Sequence, residues 1–214
     1  VTGDTADTGE NPLLFVIDKT ATFEPFDLRV TFSANRDSVA YNDFTDIRLQ
    51  PSAWLTGFPV RGMEVQLPVA VADLNGNPEK EIVFITSDNH LHVVGHDGLP
   101  ALGFPFDPGS FVDMAPAVGN IMPEDGPEIS VATRSGRLVV LSGSGSLLMD
   151  REIDEKIYGS LSLTDLTGDG LDEIVFGTMS SRLHVLTGEG DYISGFPLEL
   201  GGRINQGIAL ADLD

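Results

Sequence analysis

The sequence contains no cysteine, which removes disulfides, thiolate nucleophiles and cysteine–zinc sites at once. Basic residues are scarce. Only 12 Lys plus Arg stand against 33 Asp plus Glu, giving a formal net charge of −21. A surface that acidic repels phosphate backbones, so no nucleic-acid partner is expected, while divalent cations and basic partners are favoured. Long apolar runs are missing as well. None approaches the roughly 20 residues of a membrane span, so no membrane insertion is expected. Residues 1–10, Val1 to Glu10, have neither a basic nor an apolar stretch. They read as a polar acidic linker and not as a signal peptide. Helical periodicity with caps is absent throughout.

What is present is an ordinary globular mixture over 214 residues, 41% hydrophobic, with 24 Gly and 13 Pro that predict many turns. An internal repeat organises most of it. Stretches anchored at Asp73, Asn120, Asp165 and Asp212 read PVAVADLNGNPEKEIVFI, APAVGNIMPEDGPEISVA, SLSLTDLTGDGLDEIVFG and GIALADLD, with anchors 47, 45 and 47 residues apart. A second marker, Gly-Phe-Pro, recurs at Gly57, Gly103 and Gly195, spaced by one and then two periods of 46. Two independent markers with one period place the repeat in residues 54–214, the last unit being truncated.

Each unit reads as β-structure. Before each anchor, larger residues alternate with small ones, as in Val69 and Val71 against Ala70 and Ala72, the period of a strand with one crowded face. After a polar loop come short β-branched runs at Ile82–Ile85, Ile129–Val131 and Ile174–Phe176. A turn then leads to third strands at Leu91–Val94, Leu138–Leu141 and Leu183–Leu186, and a further turn to the Gly-Phe-Pro segment. Four antiparallel strands per ~45 residues is the size of a β-propeller blade. The expected fold is all-β: propeller-like blades in about 3.5 repeats, a partial propeller. Residues 11–53 form a non-repeat β segment before it, with strand-like runs at Leu13–Ile17, Leu28–Phe32 and Ile47–Leu49. This segment is either the end of a preceding β-domain or a divergent part of the propeller.

The clearest chemical motif is Asp165-Leu-Thr-Gly-Asp-Gly-Leu-Asp-Glu-Ile174. Oxygen ligands at loop positions 1, 3 and 5, with glycine at 6, suit a tight wrap around a hard cation. Asp165, Thr167, Asp169 and Glu173 would supply side-chain oxygens and Leu171 a carbonyl. An EF-hand is excluded because its position-12 Glu is Phe176 here. The motif, followed by a strand and repeated near 46 residues with Gly-Phe-Pro markers, resembles the FG-GAP (VCBS-type) repeat of integrin-α-like β-propellers. The resemblance implies a propeller fold, Ca2+ in the loop joining the first two strands of a blade, and extracellular adhesive or carbohydrate-associated roles.

Carried over loop by loop, the first unit offers Asp73, Asn75, Asn77, the Glu79 carbonyl and Glu81. Pro78 replaces the glycine, so that loop must turn differently or bind more weakly. The second offers Asn120, Glu124 and Glu128 around Met122, which is no calcium ligand, so its site is expected to be empty or filled in another way. Asp212 and Asp214 begin a truncated fourth loop.

The expected function is an extracellular calcium-binding repeat module with a structural or adhesive role at the cell surface. Its partners would be a protein or a polysaccharide, or further copies joined through open blade edges. The units present cannot close a six- to eight-bladed ring alone, so either the chain is part of a longer protein or other copies complete it. The alternative is an accessory or catalytic propeller domain of a secreted polysaccharide lyase or hydrolase. No catalytic constellation stands out, so an enzyme is not expected. Ser142 to Ser146 lacks the order of a nucleophile elbow, and His92 and His184, two periods apart, read as repeated structural residues.

Overall fold

The structure is a computed structural model that describes residues 26–36, 39–49, 57–123 and 126–211. It divides into two units, Val1–Trp54 and Leu55–Asp214. The expected linker over residues 1–10 and the run Leu13–Ile17 lie outside the described residues. So do Glu124, Asp212 and Asp214.

In the first unit the runs around Leu28 and Ile47 are two arms of one hairpin. Strand β1 (Phe26–Arg36) pairs antiparallel with β2 (Val39–Leu49), and Leu28 stands opposite Ile47. Arg29 and Asp46, also directly opposite, form a two-pronged ion pair with both N–O distances 2.7 Å. The Arg29 guanidinium lies 4.3 Å from the centre of the Phe44 ring. Such exposed cross-strand contacts fix register more than they stabilise.

The second unit holds three antiparallel sheets in chain order. The first is β3 (Ala70–Ala72), β4 (Glu81–Ile85) and β5 (Leu91–Val94). The second is β6 (Ala117–Gly119), β7 (Glu128–Ala132), β8 (Arg137–Leu141) and β9 (Leu147–Glu152). The third is β10 (Ser162–Thr164), β11 (Glu173–Gly177), β12 (Arg182–Leu186) and β13 (Leu198–Glu199). Neighbouring strands within each sheet are antiparallel, and the first strand of the second sheet, β6, lies beside both β3 and β10.

The second strand of each sheet is apolar on both faces because sheets pack on either side of it. All five residues of β7 and of β11 are buried. The core runs through Val83, Ile85, Leu91, Ile129, Leu138, Leu141, Ile174, Phe176 and Leu186. One deviation concerns β3, where the small residues Ala70 and Ala72 turn toward the core and Val71 stays 54% exposed. Strand β6 of the next sheet runs beside β3, where small side chains let neighbouring sheets approach.

A second deviation concerns strand number. The first sheet has three strands, and its fourth segment is held only by the bridges Leu91–Phe106 and Val94–Pro100. Pro100 and Pro105 lie in that segment and bring no N–H to a ladder.

The turn between the second and third strands has one repeated design. The N–H of Thr86, Thr133 and Thr178 donates to the carbonyl of His90, Arg137 and Arg182, at 3.1, 2.8 and 3.0 Å. The fourth residue of each turn, Asn89, Gly136 or Ser181, takes a left-handed backbone. The histidines two periods apart also share one role. His92 stacks on Phe84 and His184 on Phe176, each directly across a strand pair, with centroids 5.5 and 4.9 Å apart.

Truncating Ile129 or Leu141 to alanine leaves a hole between packed sheets. Each variant is expected to lose about 2–5 kcal/mol of unfolding free energy in urea titration, whereas Val71→Ala should change it by less than about 0.5 kcal/mol.

Candidate metal centre

The three acidic loops join the first and second strands of each sheet, so strand pairing fixes where each begins and ends. Their shared feature is the glutamate at position nine. Glu81, Glu128 and Glu173 sit at the first residue of β4, β7 and β11 and are only 5%, 2% and 2% exposed. Each accepts the backbone N–H of the residue after the loop anchor: Leu74 at 2.8 Å, Ile121 at 2.8 Å and Leu166 at 2.7 Å. Glu128 also accepts the Met122 N–H at 3.0 Å, and the position-three side chains Asn75 and Thr167 donate to Glu81 and Glu173. A buried carboxylate is tolerable only when such donors replace its water. The loop is thereby stapled shut across its mouth.

The anchor carboxylate organises the rest of the loop. Asp165 accepts the N–H groups of Gly168 at 2.6 Å, Asp169 at 3.2 Å and Gly170 at 2.9 Å. Gly168 and Gly170 have φ of +78° and +90°, a backbone that turns these donors inward at no steric cost. The bonds from Gly170 and Gly168 lead in holding the Asp165 carboxyl below its ordinary range. Asp169 accepts the Leu171 N–H at 2.9 Å.

The first loop copies this only in part. Asp73 accepts from Asn75 and Gly76, at 3.3 and 2.8 Å. Pro78 has no N–H to offer where Gly170 does; Asn75 accepts the Asn77 N–H, and Asn77 accepts the Glu79 N–H as Asp169 does that of Leu171. The anchor carboxylate of the proline loop thus holds two backbone donors where that of the third loop holds three.

The second loop is used otherwise. Asn120 donates its N–H to Asp172 at 2.9 Å and its side-chain amide to the Gly170 carbonyl at 2.7 Å, and its own carbonyl accepts the Asp172 N–H at 2.7 Å. It bridges two neighbouring loops and does not meet Glu128.

Among the described residues no three His, Cys, Asp or Glu side chains converge as a metal site. The donor chemistry of residues 165–173 nonetheless fits a hard cation. All its groups are oxygens, and two carboxylates carry about eight lone-pair directions. Three N–H donors meet Asp165 and two donors meet Glu173. Capacity remains on both.

One polar cluster had no repeat signal to announce it. Glu155, in the non-repeating link between β9 and β10, accepts from the Thr178 hydroxyl and from Arg182, the latter at 2.7 Å. Its Oε1 lies 3.7 Å from Nε2 of buried His184, whose Nδ1 meets the Tyr192 hydroxyl at 2.9 Å. Burial alone would push the Glu155 carboxyl up, but the hydrogen bonds from Thr178, Arg182 and Ser180 bring it below its ordinary value. Burial pushes the His184 imidazole down, and the opposing pull of Glu155 does not restore it.

No family model matches the chain, and no curated protein sequence matches it. Solved structures do. BBS1N in complex with ARL6DN, soaked with mercury, is similar with a TM-score of 0.53 and 18% identity over 71% of this chain and 50% of that one. A lead-soaked form of the same complex has a TM-score of 0.49 and 19% identity, over 67% and 46% of the two chains. The computationally designed Ika4 protein has a TM-score of 0.50 and 13% identity, over 76% of this chain and 89% of that one. This chain spans about half the length of the BBS1N chains. At such identities the likeness concerns the fold alone, which is all-β and propeller-like.

Two outcomes follow from this geometry. Glu128→Ala strands the Ile121 and Met122 N–H groups in the interior and is expected to cost about 1–3 kcal/mol in denaturant titration. His184 is neutral when folded, with its pKa below the unfolded value. The stability it contributes is therefore complete above about pH 6.5 and is lost as pH falls. Melting temperature is expected to drop as pH falls below about 6.5, with a shallower slope in His184→Gln.

Proposed function

We propose that the chain is a calcium-binding module built from propeller-like blades of the FG-GAP type, with a structural or adhesive role outside the cell. The observation that carries this reading is the recurrence, in three successive sheets, of a buried position-nine glutamate that accepts the N–H of the residue after the loop anchor. Random acidic turns have no reason to repeat a buried carboxylate in register. In the third loop Asp165, Thr167, Asp169 and Glu173, with the Leu171 carbonyl, would hold the ion. The first loop, with Asp73, Asn75, Asn77, Glu81 and the Glu79 carbonyl, would be the weaker site. The second, with Asn120 committed to its neighbour, would bind least.

The ion would supply positive charge among Asp165, Asp169, Asp172 and Glu173, crowded into nine residues. It would thereby link the first two strands of a blade. A net charge of −21 raises the local concentration of any divalent cation. The chain's own part is to keep the loop preformed, which lowers the ordering cost of binding.

A protein partner is favoured over a polysaccharide, because a propeller-like neighbour of this fold occurs in complex with another protein, ARL6DN. Exposed apolar side chains are available for such contact, with Leu102 90% exposed and Phe111 half exposed.

Isothermal titration with CaCl2 should show heat saturating with a Kd of about 10⁻⁴–10⁻³ M, the range of extracellular modules. Excess ion should raise the melting temperature, and EDTA should reverse the gain. Asp165→Asn with Asp169→Asn should abolish the strongest site. Identical heats and melting curves with and without calcium would remove the metal from this account and leave a repetitive β-module.

A further inference from the structure

The first acidic loop carries an asparagine directly before a glycine, Asn75-Gly76, and both are exposed. An asparagine so placed can close its side chain onto its own backbone. The glycine nitrogen attacks the amide carbon, ammonia leaves, and a succinimide ring remains. Glycine favours this because no Cβ crowds the attacking nitrogen. Gly76 has φ of +76°, and a Cβ built on it would meet nothing within 4 Å.

Three hydrogen bonds meet the three groups that this reaction uses. The attacking group is the Gly76 N–H, which donates to Asp73 Oδ1 at 2.8 Å. The oxygen that gains charge is Asn75 Oδ1, which accepts the Asn77 N–H at 3.0 Å. The leaving nitrogen is Asn75 Nδ2, which donates to Glu81 Oε1 at 3.0 Å. Glu81 is buried at the start of β4 and accepts the Leu74 N–H at 2.8 Å. The amide is thus pinned at both ends, which leaves it little rotational freedom to lose on ring closure.

The other loops lack one part each. The third repeats the arrangement with Thr167 and Gly168: Gly168 donates to Asp165 at 2.6 Å, and the Thr167 hydroxyl to Glu173 at 3.3 Å. A threonine side chain has no acyl carbon to attack. The second loop has Met122 and Pro123 at these positions. Asn77 precedes Pro78, which has no N–H. Asn120 precedes Ile121, whose N–H is committed to buried Glu128.

We infer that Asn75-Gly76 is a self-modification site, at which the folded loop promotes its own succinimide formation and hence deamidation. The Gly76 nitrogen bonds to Asn75 Cγ while its proton passes to Asp73. Charge developing on Oδ1 is met by the Asn77 N–H. The Cγ–Nδ2 bond then breaks, and the departing nitrogen takes up the proton, relayed from Asp73 through solvent, to leave as ammonia. Water opens the imide at either carbonyl, giving aspartate or isoaspartate. No electrons are exchanged, and water is the only co-reactant. Either product loses the amide N–H that Glu81 accepted and adds a negative charge close to it. The loop passes with age from one that satisfies its own polar groups to one that repels itself.

The intact protein, with EDTA present, is incubated at neutral pH either folded in buffer or unfolded in guanidinium chloride. Peptide mass spectrometry follows the loss of ammonia and the later gain of water at residue 75. The folded chain should convert faster by roughly tenfold or more, although both contain the same Asn-Gly pair. Asp73→Asn should remove most of that advantage, and Asn75→Gln should abolish the ammonia loss at this position. A folded chain that converts no faster than the unfolded one would overturn the inference, because sequence alone would then account for the reaction. So would a folded Asp73→Asn protein that converts as fast as its parent. EDTA is present in both arms, so a failed calcium titration leaves these readouts standing.

Discussion

A buried carboxylate hydrogen-bonded to backbone at the mouth of each acidic loop is the interaction on which the rest of the second unit depends. Glu81, Glu128 and Glu173 take up the N–H groups that a tight polar loop would otherwise leave unpaired beside an apolar strand. Because each glutamate is also the first residue of a fully or largely buried strand, it couples the loop's shape to the core. Losing the carboxylate opens the loop. Losing strand register carries the carboxylate to the other face. Loop and sheet therefore specify each other.

Packing between sheets rests on a different economy, that of missing atoms. Gly143 and Gly188 let backbone meet backbone between successive sheets, and Gly119 leaves room for Asp172 and Leu163. Larger residues at these places would hold the sheets apart and leave the core between them underfilled. The same requirement explains why small residues recur in the first strand of each sheet, where β6 runs beside both β3 and β10.

Most of the fold was legible because its periodicities are strong. The runs Ile82–Ile85, Ile129–Val131 and Ile174–Phe176 fall within a residue of the strands' ends, as β-branched segments bounded by turn residues should. The pairing of His92 and His184 with phenylalanine across the strand was foreshadowed by their two-period spacing. What sequence could not settle is which face a three-residue strand presents. Alternation in β3 was clear, but Ala70 and Ala72 turn inward because of a neighbouring strand distant in sequence. Nor did proline content alone show that the first sheet would stop at three hydrogen-bonded strands. The position-nine glutamates were visible as conspicuous residues, yet their bonds to backbone N–H follow from their burial, which only the packed sheets supply. The Glu155 cluster was invisible because it lies in a link that no repeat covers.

The diversion of Asn120 toward the adjoining loop has a consequence for counting. Three structurally parallel hairpins differ in how many oxygens they keep uncommitted: one rich in carboxylates, one altered by Pro78, and one spent on a crosspiece to its neighbour. Ion stoichiometry and sheet number are therefore separate quantities in this architecture. A tally of perfect acidic motifs would undercount the sheets of any chain built this way, while the glutamate that opens each second strand would register them all.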